Sequence, residues 1–242
     1  MKTFFISGIH SVISALENNH RVKKTLYLSK INPVAENIAL KKKIPCKQVN
    51  KRFIDKLFNF NGENHQNIAL EVGPVKTDKI ENIIFNSTSE LLILNSVQDP
   101  RNIGSAIRTA IAFDINNIII EKKYFNVSSN LMHKSSSGCI DKANIFLISN
   151  LSNAIKVLKK NNFWIVGLSS HSQETIYSFD WPKKTAFIFG SEQKGMSNNV
   201  SKNCDFKIKI PISEKVESLN ISNAVASTLA IYRSKLVGKN FT

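Results

Sequence analysis

Four short apolar runs constrain the fold of this chain more than anything else in it: Leu91-Leu-Ile-Leu94, Asn117-Ile-Ile-Ile120, Ile145-Phe-Leu-Ile148 and Ala186-Phe-Ile-Phe189. A strand with one wet face alternates apolar and polar residues. An uninterrupted run belongs to a strand buried on both faces, as in a parallel sheet layered between helices. Residues 163–168 and 206–210 read as further strands. Helical spacing falls between them, at 105–113, at 151–160 (Leu151, Ile155 and Leu158 on one side) and at 222–236. Strands alternating with helices place residues 89–242 in the α/β class, with a mostly parallel sheet.

Residues 1–73 have a different texture. Ile9, Val12, Ile13 and Leu16 sit at helical spacing, and 25–28 reads as a buried strand. Residues 34–43 look helical, 48–58 pass from strand to helix, and 65–72 form a strand ended by Gly73-Pro74. This is a small α/β domain. Residues 74–88 are polar enough to be a linker with some local helix, and the boundary is placed near residue 88.

The net charge of +15 attracts polyanions, nucleic acid above all, although a Lys-, Asn- and Ile-rich composition alone also raises it. Residues 1–88 carry 14 basic and 7 acidic side chains, and the rest 19 and 11, so the shorter part is charged more densely. There are five arginines, and Arg101 and Arg108 flank Gly104. No run of about 18 apolar residues predicts a membrane span. The start of the chain has one basic residue, and Gly8 and His10 break its apolar run, so export is not expected. The three cysteines, Cys46, Cys139 and Cys204, form no C-x-x-C, and the histidines form no H-x-x-x-H pair. A metal-free protein of the reducing cytoplasm is expected.

In open parallel sheets, ligands sit beyond the carboxyl ends of the strands. Three stretches lie there. In the first, residues 102–108, a helix start near 102–105 favours an anion, Gly104 permits close approach, and Ser105 and Arg108 share a face opposite Ile103, Ile107, Ala110 and Ile111. A lone arginine on that polar side suits a phosphate, and a helix cap with a solvated arginine is the plainer alternative. In the second, Gly190-Ser-Glu-Gln-Lys-Gly195 holds Glu192 between two flexible points. The third, residues 210–223, offers Ser218, Asn220, Ser222 and Asn223 as uncharged hydrogen-bonding groups or helix caps beside Leu219 and Ile221. No G-x-G occurs, so a dinucleotide fingerprint is absent. Gly104, Gly138, Gly167, Gly190 and Gly195 are expected in loops along one edge of the sheet.

These stretches, in this order, resemble the signature of the SpoU (TrmH) family of RNA ribose methyltransferases. The match lies at Asn102, Gly104 and Arg108, then at Gly190, Glu192, Gly195 and Met196, then at Ile210-Pro211 and residues 218–222, with a lesser match at Lys134-Ser-Ser-Ser-Gly138. Gly8-Ile-His-Ser-Val and His65-Gln-Asn-Ile-Ala resemble the ribosomal-protein-like RNA-binding domain of the bacterial RlmB branch, which methylates a guanosine ribose in 23S rRNA. The resemblance implies a trefoil-knotted SPOUT domain, a homodimer, and S-adenosylmethionine held at Gly190, Ile210 and Leu219. It implies Arg108 as general base, with Asn102, Glu192, Ser218 and Asn220 around it. A guanidinium is cationic at all ordinary pH, so holding an RNA phosphate and stabilising an alkoxide is the alternative role for Arg108. A tRNA methyltransferase and a non-catalytic ribosome assembly factor are the competing functions.

Overall fold

A computed structural model of the chain describes residues 2–58, 64–85 and 89–237. It divides into two compact units: Met1–Lys76 with Asn126–Lys142, and Thr77–Phe125 with Ala143–Thr242.

The first unit begins with β1 (Phe4–Ser7), α1 (Ile9–Glu17), β2 (Lys23–Leu28), α2 (Pro33–Lys41), β3 (Cys46–Gln48), α3 (Lys51–Leu57) and β4 (Ile68–Val72). The sheet order is β1-β4-β2-β3, antiparallel except for β2 with β3. Strand alternation turns Ile6, Leu26, Leu28 and Leu70 inward, where they meet Val12 and Leu16 of α1 and Ala35 and Ala39 of α2. Burying each large aliphatic side chain contributes about 1.5–3 kcal/mol. Asn32 and Asn50 set the starts of α2 and α3 by accepting from Ala35 N and Phe53 N. The strand β1 had no counterpart in the sequence reading, which saw there only a broken apolar run.

The second unit contains β5 (Thr77–Asp78), β6 (Glu90–Leu94), α4 (Pro100–Ala112) and β7 (Asn117–Glu121). The chain then visits the first unit to form α5 (Asn130–Ser135). It returns through β8 (Asn144–Ile148), α6 (Leu151–Lys160), β9 (Trp164–Leu168), β10 (Thr185–Phe189), α7 (Asn198–Asn203), β11 (Phe206–Ile208) and α8 (Ile221–Val237). The order β11-β9-β10-β6-β7-β8-β5 is parallel at every pair. Leu91, Ile93, Ala186 and Ile188 face Leu151, Ala154, Ile155 and Leu158 of α6. On the other face Phe187 packs against Trp181 and against Tyr232 of α8, which in turn packs on α4. Both faces are therefore covered, as the apolar runs require.

Two expectations are corrected, and a third lies beyond what the structure describes. Residues 77–78 are not linker: they pair with β8 at the sheet edge, and Ile80 and Ile83 enter the core. The boundary placed near residue 88 falls outside the described residues. The five glycines do not share one edge. Gly104 lies buried inside α4, and Gly167 lies inside β9, where a Cβ would meet Met196 Cε at 2.7 Å and Cys204 Sγ at 2.8 Å. Gly138 belongs to the first unit with φ +84°, and a side chain there would strike Ser14 and the His10 carbonyl of α1.

The segment Asn126–Lys142 is fastened within the first unit by polar contacts. Asp141 Oδ2 pairs with Arg21 Nη1 at 2.8 Å, both side chains buried. Asn18 Nδ2 donates to Asp141 Oδ1 (3.0 Å), Ser7 N to Asn130 Oδ1 (2.8 Å), and Ser11 Oγ to the His133 carbonyl (2.8 Å). Burial, with the Arg21 charge nearby, pushes His133 down to about 3.

Candidate active site

The strand order reverses between β6 and β10, and such a switch point opens a crevice at the carboxyl ends of the strands. The loop leaving β10 lies there. Ser191 and Gly195 pair back to back, with Gly195 N donating to Ser191 O (2.8 Å) and Ser191 N to Gly195 O (3.1 Å). Gly195 adopts φ +60° to close this turn. A Cβ on Gly190 would overlap the backbone of Gly195 and Met196, so only glycine lets the loop fold back this tightly. The turn carries Glu192.

Glu192 gathers the three stretches. Its Oε1 accepts from Asn102 Nδ2 (2.8 Å), from Asn220 Nδ2 (2.6 Å) and from Ile221 N (3.2 Å). Asn220 Nδ2 also reaches Asn102 Oδ1 (3.3 Å), and Ser222 Oγ reaches the same oxygen (3.4 Å). Asn220 Oδ1 accepts from Ser222 N (2.9 Å), so α8 is capped by its own asparagine and by a carboxylate from another loop. A negative charge at a helix N-terminus is favourable. Arg108 stands on the exposed side of α4, six residues beyond Asn102 and thus about 9 Å along the axis.

Beside Glu192 a cleft of about 800 Å³ opens among the loops after β9, β10 and β11. Of the residues singled out from the sequence, Gly190, Glu192, Ile210, Ser218 and Leu219 line it, and Asn102 and Asn220 are joined to it through Glu192. Ser169 and His171 also line it, and the sequence reading missed them; their place directly after β9 was the available signal.

A second group of missed residues braces the loop. Glu121, 8% exposed at the end of β7, accepts from Ser96 N (2.6 Å) and Asn95 Nδ2 (3.2 Å). Asn95 in turn donates from its backbone to Phe189 O (2.8 Å) and accepts from Ser197 N at Oδ1 (3.3 Å). Both ends of the Glu192 loop thus hang on one buried asparagine, through its backbone N–H and its side-chain oxygen. Under the loop, Met196 Sδ lies 3.9 Å from Cys204 Sγ. Burial and then Asp205 push the Cys204 thiol up to about 11, which keeps it protonated and unreactive.

The expected anion site at the start of the first stretch is corrected. The helix α4 begins at Pro100, not near 102–105, so the amides of residues 103–105 lie beyond its open end: Ile103 N already bonds to Asp99 O at 3.1 Å. Pro100 has no N–H, and Asp99 occupies Arg101 N (2.8 Å) with its own negative charge. Among the described residues no helix is long and apolar enough to cross a membrane, and no group of three or more His, Cys, Asp or Glu is arranged to hold a metal ion.

Known proteins share this architecture. The SpoU rRNA Methylase family matches residues 89–230, and an "RNA 2'-O ribose methyltransferase substrate binding" family matches residues 5–77. A Staphylococcus saprophyticus protein assigned to the TrmH family of tRNA/rRNA methyltransferases is 32% identical over 241 residues, covering 96% of this chain and 95% of its own length. The crystal structure of the SpoU methyltransferase AviRb from Streptomyces viridochromogenes aligns with a TM-score of 0.82 at 20% identity, covering 98% of this chain and 91% of that one. An AdoMet-bound rRNA methyltransferase from Sinorhizobium meliloti aligns with a TM-score of 0.80 at 22% identity, covering 97% and 88%. With the family signature matched across more than half of its length and its three motif stretches converging on Glu192, the chain belongs to the SpoU (TrmH) family of RNA methyltransferases.

Proposed function

We propose that this chain transfers a methyl group from S-adenosylmethionine to a ribose 2′-hydroxyl of RNA, its target a guanosine of 23S rRNA. The observation that carries this reading is the meeting of Asn102, Glu192 and Asn220, one from each stretch, at the rim of a cleft. The cleft residues fit the cofactor. Its volume is in the range of small-molecule sites. Leu168, Ile210, Leu219 and Ile221 offer apolar surface for a flat base, and Glu217 offers a carboxylate to a sulfonium cation. Gly190, Ile210 and Leu219 are the residues proposed to hold it, and bound there it supplies an electrophilic methyl group.

The protein's task is then chiefly positioning. Asn102, fixed by Glu192 and Ser222, orients the ribose. Arg108 holds the RNA phosphate and stabilises the oxygen as the hydroxyl gives up its proton to water. Glu192 serves as organiser, because Oε1 is already committed to three N–H donors. Ser218, which lines the cleft, is proposed to stand beside the reacting hydroxyl. The first unit supplies RNA affinity through its charge.

Two further features belong to the proposal. The return of α8 onto α4 after the edge strand β11, with β10 seated between β6 and β9, supports a knotted C-terminal path. Exposed Tyr177 and Val216, 61% and 52% accessible, support a homodimer that covers them. The protein is proposed to act in the cytoplasm.

Replacing Arg108 with Ala is expected to lower methyl transfer by at least about 100-fold. Calorimetry should show cofactor affinity nearly unchanged. Full turnover by this variant overturns the assignment. Mapping 2′-O-methyl groups in rRNA and tRNA with and without the protein separates the 23S rRNA target from a tRNA target. Absence of cofactor binding by the wild type would favour a non-catalytic assembly factor.

A further inference from the structure

The second face of the first unit's sheet carries a side-chain group that the proposed chemistry does not use. Because Ile6, Leu26 and Leu28 point into the core, alternation turns Phe5 and Tyr27 to the opposite face. Tyr27 meets Phe5 edge-on, with ring centroids 6.1 Å apart at 67°. It lies closer to parallel with Phe53 of α3, at 5.3 Å and 31°. Ile54, the next residue, is fully buried and anchors the helix, while Phe53 is 39% exposed. The ring is thus held at the surface by a fixed helix and backed by a second ring.

The surroundings are mostly basic: Glu71, opposite Phe5 on the same face, is paired with Lys24 at 3.2 Å. Lys47 pairs with Tyr27 in the β2–β3 register and therefore shares its face. Lys51 and Arg52, both exposed, directly precede Phe53. The residues of the whole unit number 15 basic against 6 acidic, a net of +9, against +6 for the longer second unit. An accessible flat ring flanked by cations matches the two faces of a single-stranded nucleotide, a π surface and a phosphate. A duplex hides its bases in the stack and has nothing to offer the ring.

We infer that Phe53, backed by Tyr27, is a stacking platform for an unpaired RNA base, with Lys47, Lys51 and Arg52 holding the neighbouring phosphates. This rests on the reading that the substrate is RNA, and it adds which part of the RNA is gripped and by which residues.

The test uses the full chain, a labelled unstructured single-stranded RNA, and a duplex of the same sequence. Phe53→Leu keeps the apolar bulk and removes the ring. It is expected to weaken single-strand binding roughly tenfold and leave duplex binding nearly unchanged. Phe53→Trp should bind as the wild type does. Lys47→Gln should weaken both RNAs and lower the salt dependence by about one phosphate contact. An unchanged unfolding transition and circular dichroism spectrum of each full-chain variant show that the fold is intact, and Tyr27→Leu provides a second removal of the stack. Wild-type affinity in Phe53→Leu, or equal losses on single strand and duplex, overturns the platform. If the wild type methylates RNA while Phe53→Leu keeps its KM and its RNA affinity, the platform alone falls. If single-strand binding depends on the ring but no RNA is methylated, the platform stands and the catalytic reading falls.

Discussion

Two carboxylates organise this molecule in opposite ways. Asp141 is buried against Arg21 in the first unit and fastens the segment Asn126–Lys142 to α1 and the loop after it. Glu192 is exposed in the second unit and fastens its own loop to α4 and to the start of α8 through neutral amides. A buried charge cannot be replaced by water when its partner is lost, whereas an exposed one can. The first carboxylate therefore governs whether a unit holds together, and the second governs how accurately a site is shaped.

The largest expected effect tests the buried pair. Asp141→Ala leaves the Arg21 charge uncompensated and should destabilise the protein by about 3–5 kcal/mol in chemical denaturation. Asp141→Asn should recover little of this, because the charge is still missing; wild-type stability in that variant would break the comparison. An effect of comparable size, spread over several pH units, comes from pH. His133 is held neutral in the folded state down to about 3, while the unfolded chain takes up its proton near the ordinary 6.5. Stability is thus independent of this group above pH 6.5 and falls as pH drops from there toward 3, at up to about 1.4 kcal/mol per pH unit. Replacing His133 with Gln should flatten that slope in denaturation curves measured across the window. The smallest effect belongs to the exposed carboxylate. Glu192→Ala should weaken cofactor affinity about tenfold, the equivalent of about 1.4 kcal/mol. Glu192→Gln keeps an acceptor oxygen and should recover most of it, with little change in stability for either variant. A stability loss as large as that of Asp141→Ala would show that the two regions obey the same rule.

The two regions were also unequally legible. The parallel sheet was readable because burial on both faces writes uninterrupted apolar runs into the sequence. Short edge elements wrote nothing comparable: β5 is two residues, and its pairing with β8 is a tertiary fact. The true start of α4 was readable from Asp99-Pro100, a cap followed by a first-turn proline. In the site, the stretches were legible as a set only through their resemblance to a family, since each alone reads as a turn or a cap. Asn95 and Glu121 were missed because their importance comes from hydrogen bonds between strands far apart in sequence, although an acidic residue ending the apolar run of β7 was a hint. The transfer of residues 126–142 to the first unit was illegible, because Arg21 and Asp141 are 120 residues apart.

That last feature bears on how the protein is made. A ribosome delivers the first 76 residues before any of Asn126–Lys142 exists, so the nascent first unit has Arg21 but not its counter-charge. Its hydrophobic core is contained in those first residues, but the Arg21–Asp141 pair is completed only after β5, β6, α4 and β7 have been synthesised. A gene fragment cut at residue 73 or 88 would encode the same unfinished intermediate, and a transplantable version of this unit has to carry Asn126–Lys142 with it as a grafted segment.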